Sequence, residues 1–153
     1  MKQKVVIIDG MGGGIGAQLI SRIRELACEE LEIIALGTNA VAAERMIKAG
    51  AHRGAAGENA IKVSAPLGDF ILGPIGIVIA NSLMGEISPA MTEAILAAPG
   101  EKILLPLQQD HFRLAGMESL PFTKIIDKAI DILKERLSAG RPPEGSPPPA
   151  PLP

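Results

Sequence analysis

The chain has no tryptophan and no tyrosine, and only three phenylalanines in 153 residues. Modules that hold single-stranded nucleic acid stack its bases on aromatic rings, and here there is almost nothing to stack on. A basic face is missing too: 15 Lys and Arg against 17 Asp and Glu leave a formal net charge of −2, with no Lys/Arg cluster. Since a basic footprint underlies contact with the phosphate backbone, nucleic acid is not an expected partner. The single cysteine, Cys28, rules out an internal disulfide, and the two histidines, His52 and His111, stand far apart without ligand spacing, so no metal motif is visible. Long apolar runs are absent as well. The longest, Phe70 to Ala80, is broken by Gly73, Pro74 and Gly76 and falls short of the ~20 residues of a membrane span. At the N-terminus only four apolar residues separate Lys4 from Asp9, too few for a signal peptide. A cytoplasmic protein that does not enter the membrane is expected.

What the chain does have is glycine, 17 residues of it, on an ordinary globular background of 47% hydrophobic and 21% charged residues. Its length suits one domain with a proper core. Five glycines fall in Asp9-Gly10-Met11-Gly12-Gly13-Gly14-Ile15-Gly16, after the apolar run Val5-Val6-Ile7-Ile8 and before an amphipathic segment. The order is strand, glycine turn, helix. Such a turn presents unpaired N–H groups and the positive end of a helix dipole to whatever lies beyond it, and a phosphate is the default occupant. Read from Gly12, the dinucleotide fingerprint finds Gly12 and Gly14 with Ala17 in third place. Read from Gly10, the spacing through Gly14 and Gly16 resembles the cofactor turn of short-chain dehydrogenases. The competing reading is a turn whose glycines only pack helix against sheet.

Two features separate this chain from ordinary dehydrogenases. Short-chain dehydrogenases use a tyrosine as acid/base, and this chain has none. An NAD site also places an acid at the tip of the second strand, where this chain reads Leu36-Gly37-Thr38-Asn39. Thr38 and Asn39 could hydrogen-bond a ribose or a 2′-phosphate, or Asn39 could cap the next helix. Asp9 adds a difficulty: at ~5 Å and an effective dielectric of ~20, a carboxylate repels a phosphate by ~3 kcal/mol. It must turn back to cap the glycine turn, as Asx residues do, or hold a magnesium ion, a ribose hydroxyl or a cationic group.

Along the chain, hydrophobic spacing predicts a first helix over Ile15 to Glu30 containing Cys28, a second strand over Glu32 to Gly37, and a helix over Ala40 to Ala49 that Gly50 ends. The βαβ order implies parallel strands joined by right-handed crossovers. Next comes either a short strand at Ala51 to Arg53 with a helix over Glu58 to Ala65, or a strand at Ile61 to Ser64; the need for a crossover favours the helix. Phe70 to Gly73 is the fourth strand, Ile77 to Met84 a buried helix, and Ser88-Pro89 the start of a helix to about Ala98. Lys102 to Leu107 is the fifth strand, Arg113 to Ala115 a short sixth, and the last helix starts near Pro121. The fold expected is α/β: a single-domain Rossmann-like three-layer sandwich over residues 1–138, its mostly parallel sheet having about five strands. From 139 to 153, seven of fifteen residues are proline, which suits a disordered or extended tail.

Ligands of open parallel sheets bind outside the carboxyl ends of the strands. That rim collects Asp9, Gly10, Met11, Gly12, Gly13, Gly14, Ile15 and Gly16, then Thr38 and Asn39, then Gly73, Pro74, Ile75 and Gly76, with Pro106 to Gln109 beyond. Glu58, Asn59, Asn81, Glu86 and His111 are its polar candidates for acid/base or orienting roles, each with a structural alternative such as a helix-terminal acid or a solvated loop. No catalytic residue is assigned.

The segments IIDGMGGGIG, ALGTNAVA, GAAGENAI, GPIGIVIANSLMGEISPAM and KILLPL together resemble a family of small bacterial proteins known only as a domain of unknown function, over roughly residues 4 to 137. The resemblance implies a Rossmann-like single domain without an assigned activity. It also implies a Cys or Asn after the fifth strand; this chain has Gln108-Gln109-Asp110-His111 there, so a role of that residue in relatives does not carry over. Three readings follow. The first is a binding or regulatory module for a nucleotide, dinucleotide (NAD or NADP among them) or other phosphate-containing small molecule. The second is a small, homo-oligomeric enzyme whose crevice a neighbouring subunit completes. The third is an interaction protein using the scaffold without a ligand. The first predicts nucleotide binding that Gly14→Val abolishes, the second adds turnover that depends on a polar rim residue, and the third predicts neither.

Overall fold

Alternation along the strands decides the architecture. In β1 (Gln3–Asp9), Val5 and Ile7 face one side and Val6 and Ile8 the other, and all four are fully buried. A strand buried on both faces must be covered by helices on both. In the computed structural model, which describes residues 2–107, 112–117 and 119–140, this is what the chain does. After β1 come α1 (Gly14–Glu25), β2 (Leu31–Gly37), α2 (Ala40–Lys48), β3 (Arg53–Ala56), α3 (Glu58–Ser64), β4 (Phe70–Pro74), α4 (Pro89–Ala97), β5 (Glu101–Leu105) and α5 (Phe122–Ala139). Single 3₁₀ turns at Ala65–Leu67 and Ile75–Val78 flank β4.

The five strands form one sheet in the order β3-β2-β1-β4-β5, every neighbouring pair parallel. One core layer joins Val5, Ile7, Ile33 and Leu72 to Leu19 and Ile20 of α1, Met46 of α2 and Ile130 and Leu133 of α5. The opposite layer joins Val6, Ile8, Leu36 and Ile71 to Ile61 of α3 and Met91 and Ile95 of α4. Each such side chain taken out of water contributes about 1.5–3 kcal/mol before entropy is charged against it. The domain is therefore a Rossmann-like three-layer α/β sandwich. Strand order reverses between β1 and β4, which makes the rim at their carboxyl ends the switch point where ligands of such sheets bind.

Four expectations need correction. The first helix ends at Glu25, not Glu30: Ala27 turns left-handed (φ 48°), and Cys28 lies exposed in the loop beyond. Glu25, Glu29 and Glu30 crowd that end, where the helix dipole disfavours acids. The third strand is Arg53–Ala56, starting where the expected one ends, because His52 N–H already bonds Ile33 O and leads the chain alongside β2. The stretch from Ile77 to Met84 is no helix. After the 3₁₀ turn the chain winds through Asn81, Leu83, Met84 and Gly85, all at positive φ, and closes on itself through Asn81 N–H to Ile87 O and Ile87 N–H to Ser82 O. Asn and Ser compete with helices by such local bonding: the Ser82 hydroxyl donates to Gly76 O, and Met84 stands 90% exposed. Arg113–Ala115 forms no strand; only Phe112, in the described residues 112–117, makes an isolated bridge. Residues 108–111, with His111, and the proline-rich segment from 141 onward lie outside the described residues.

Candidate functional site

Asp9 ends β1 with its side chain 3% exposed and turned back on the chain. Its Oδ1 accepts Gly10 N–H and its Oδ2 accepts Gly16 N–H, both at 2.8 Å. Gly13, the N-cap of α1, has no side chain to satisfy the first helical donors, so Asp9 does this from outside the helix. Burial pushes its pKa up, the N–H groups of Gly16, Gly10 and Ile15 pull it back, and the negative Glu86 adds to the upward push. Of the roles open to it, capping is the one its contacts show.

The donors of the turn can be accounted for one by one. Gly10 and Gly16 bond Asp9, Ile15 faces the same carboxylate, Met11 N–H donates to Glu86 Oε1 at 3.0 Å, and Gly13 N–H bonds Gly10 O. Among the described residues, the N–H groups of Gly12 and Gly14 are left without a partner.

Space divides the same glycines in the same way. A Cβ on Gly10 would come within 2.6 Å of Thr38 Oγ1, one on Gly13 within 2.8 Å of the Ala42 backbone, and one on Gly16 within 2.4 Å of Met46 Sδ. At Gly13 the obstacle is backbone and φ is 73°, so the fold requires glycine there; at Gly10 and Gly16 the crowding is by side chains that would have to shift. Gly12 and Gly14 meet only the Arg45 guanidinium, at 3.7 and 3.3 Å, and neither has positive φ. Arg45 reaches across from α2 to Gly12 O at 3.4 Å, and no carboxylate pairs with it among the described residues. Beside Gly14 a groove of about 230 Å³ runs along α1 past Ser21 and Arg45.

At the tip of β2 the expected absence of an acid does not survive folding. Glu86, from the loop between β4 and α4, lays Oε1 against Thr38 Oγ1 at 2.5 Å and Asn39 Nδ2 at 2.7 Å as well as Met11 N–H. The Thr38 hydroxyl, then the Met11 and Asn39 donors, hold its pKa below the usual carboxylate value against a partial burial cost. Asn39 caps α2, Oδ1 accepting Ala42 N–H at 2.8 Å, and uses Nδ2 to tie Met11 O as well. Of the two roles considered for Asn39, helix capping is the one its contacts show, and its Nδ2 also holds Glu86.

The second glycine loop belongs to the same rim but is mostly floor: Gly73, Pro74 and Gly76 are buried and Ile75 half-buried. A Cβ on Gly73 would lie 2.4 Å from Ile8 O, so that glycine lets β4 pack against β1. Glu58, at the start of α3, accepts Ser88 Oγ at 2.6 Å, while Ser88 caps α4 by accepting Met91 N–H. Asn59 and Asn81 are exposed. Larger clefts lie elsewhere, about 630 Å³ around Arg24, Cys28 and His52 and about 800 Å³ of mostly apolar wall between β5 and α5. Among the described residues no three His, Cys, Asp or Glu side chains gather as a metal would require, and no helix is long and apolar enough to cross a membrane.

Fold and rim thus define a Rossmann-like α/β domain with a glycine turn at its switch point. The chain belongs to the family described as a domain of unknown function (DUF3842), whose model matches residues 4–138. No curated protein matches the chain.

Proposed function

We propose that this protein is a binding or regulatory module that holds a nucleotide, dinucleotide or other phosphate-containing small molecule at the glycine turn after β1. One observation carries the reading: the two turn glycines that meet no neighbour but the flexible Arg45 guanidinium, at 3.7 and 3.3 Å, are the two whose N–H groups are unspent. Backbone donors at a helix start together with a guanidinium suit phosphate oxygens. Asp9 is compatible with it, since its charge is turned inward and engaged by the turn's own donors.

A chain with neither Trp nor Tyr is nearly transparent where proteins usually absorb. The purified protein is expected to show an adenine-type band whose carrier leaves on denaturation and is identified by mass spectrometry. In ligand-free protein, a nucleotide or inorganic pyrophosphate at about 100 times its Kd adds roughly 2.7 kcal/mol of stability, and Gly12→Val removes the effect while the fold persists. A featureless spectrum with no stabilisation by nucleotides or pyrophosphate overturns the reading in favour of an interaction protein.

A further inference from the structure

The phosphate reading leaves open what the rest of the ligand is, and the rim carries a second charge that bears on this. Glu86 lies against Gly10, where an added Cβ would come within 3.2 Å of Oε1, whereas Arg45 lies against Gly12 and Gly14. Opposite charges are thus separated along one turn. Resting on that reading, we propose that Glu86 is the specificity-determining acid of the site. It accepts a hydrogen bond from a free ribose hydroxyl beside the phosphate and excludes a phosphate group in that place, so the site takes NAD-type rather than 2′-phosphorylated nucleotides.

The position comes first. In parallel sheets that bind dinucleotides, an acid at the tip of the second strand holds the ribose hydroxyls. Here the tip residues, Thr38 and Asn39, are donors, and they hold the carboxylate of Glu86, which lies 48 residues beyond Thr38 in sequence. The function of the tip acid is supplied from another loop.

The bonding comes second. All three protein donors converge on Oε1, so Oε2 has no partner among the described residues. The neighbouring Asp9 cannot take the role, because both its oxygens are occupied and it is buried. One half-buried carboxylate with one open oxygen remains at the rim. Such a group accepts from a hydroxyl and repels a phosphate, and repulsion of the wrong ligand is an ordinary source of selectivity.

The alternative is that Glu86 only ties its loop to the turn. Glu86→Gln separates the two, since the amide keeps an acceptor oxygen for the three donors and loses the charge. Titrations of wild type, Glu86→Gln and Gly12→Val with NAD and with NADP, and with inorganic pyrophosphate, make the test. Wild type is expected to bind NAD at least about tenfold more tightly than NADP. In Glu86→Gln that preference falls to about threefold or less, chiefly through tighter NADP binding. Equal binding of the two by wild type, or an unchanged preference in Glu86→Gln, overturns the proposal and leaves Glu86 a tie. In that case loss of binding in Gly12→Val keeps the phosphate reading intact. If neither nucleotide binds but pyrophosphate does, sensitive to Gly12→Val, this proposal falls and the phosphate reading stands. If pyrophosphate fails as well, both fall.

Discussion

Strands β1 and β4 lie side by side and end at the same rim, yet they leave it by different means. β1 runs into a turn of five glycines and an α-helix; β4 ends on the buried Gly73-Pro74 and passes through a 3₁₀ turn into a self-closed loop with Asn81, Leu83, Met84 and Gly85 at positive φ. Both exits contain glycine, for different reasons. Gly73 allows one strand to approach the carbonyl of the next, whereas Gly12 and Gly14 meet only the end of one flexible guanidinium. The difference teaches that the number of glycines says little about ligand binding. What matters is which of them the fold leaves unused.

The largest effect that would break this comparison is on stability. Gly73→Ala places its Cβ against the Ile8 backbone carbonyl, which cannot swing aside, and is expected to cost about 3 kcal/mol, the upper part of the overpacking range. Gly12→Ala meets only the tip of a flexible Arg45 and should stay within about 0.5 kcal/mol of wild type. Urea unfolding of the two variants measures both. If Gly12→Ala is as damaging as Gly73→Ala, the two exits are alike and the space above Gly12 has no special meaning.

Asp9 and Glu86 sharpen the comparison on a smaller scale. Asp9→Ala leaves the Gly10 and Gly16 donors unsatisfied in a buried setting and should cost about 1–2 kcal/mol. The pH dependence separates the two acids by sign. Glu86 is held below its usual pKa in the fold, so its stabilisation is present above the unfolded value of about 4.3 and is lost as pH falls through the folded one. Asp9 is pushed up by burial, so its charged form weighs against folding above its folded pKa, and that penalty disappears as pH falls below the unfolded value of about 3.9. Unfolding free energies from neutral pH into the acid range should therefore fall less steeply in Glu86→Gln and more steeply in Asp9→Asn than in wild type. The same change in both variants would contradict the assignment.

Sequence patterns revealed most of the scaffold because helix and strand periodicities are local. A mostly parallel sheet of about five strands, the Asn39 cap and the Ser88-Pro89 helix start were legible from short windows, though not that every neighbouring pair is parallel or that Arg113–Ala115 forms no strand. The loop from Ile79 to Glu86 was not. Together with Ile77 and Val78 before it, its apolar residues resemble a buried helix, and only tertiary placement shows Ile77 inside and Met84 outside. The same loop hid the acid at the β2 tip: Glu86 was visible as a polar rim candidate, but its meeting with Thr38 and Asn39 is a contact across nearly fifty residues that spacing does not encode. The run Asn81-Ser82 followed by Gly85 was the available signal against a helix, and the apolar residues around it outweighed it. Asp9 was legible as a residue with a conflict, and the capping role among its alternatives is the one its bonds display.

The most direct measurement is the amide spectrum of isotopically labelled, ligand-free protein titrated with NAD or inorganic pyrophosphate. Saturable shifts concentrated at the N–H groups of Gly12 and Gly14, with smaller ones at Gly10 and Gly16 whose donors Asp9 already holds, are the predicted result. No shift at Gly12 and Gly14, or shifts no larger there than at the exposed lysines, would contradict the claim that this turn holds a phosphate.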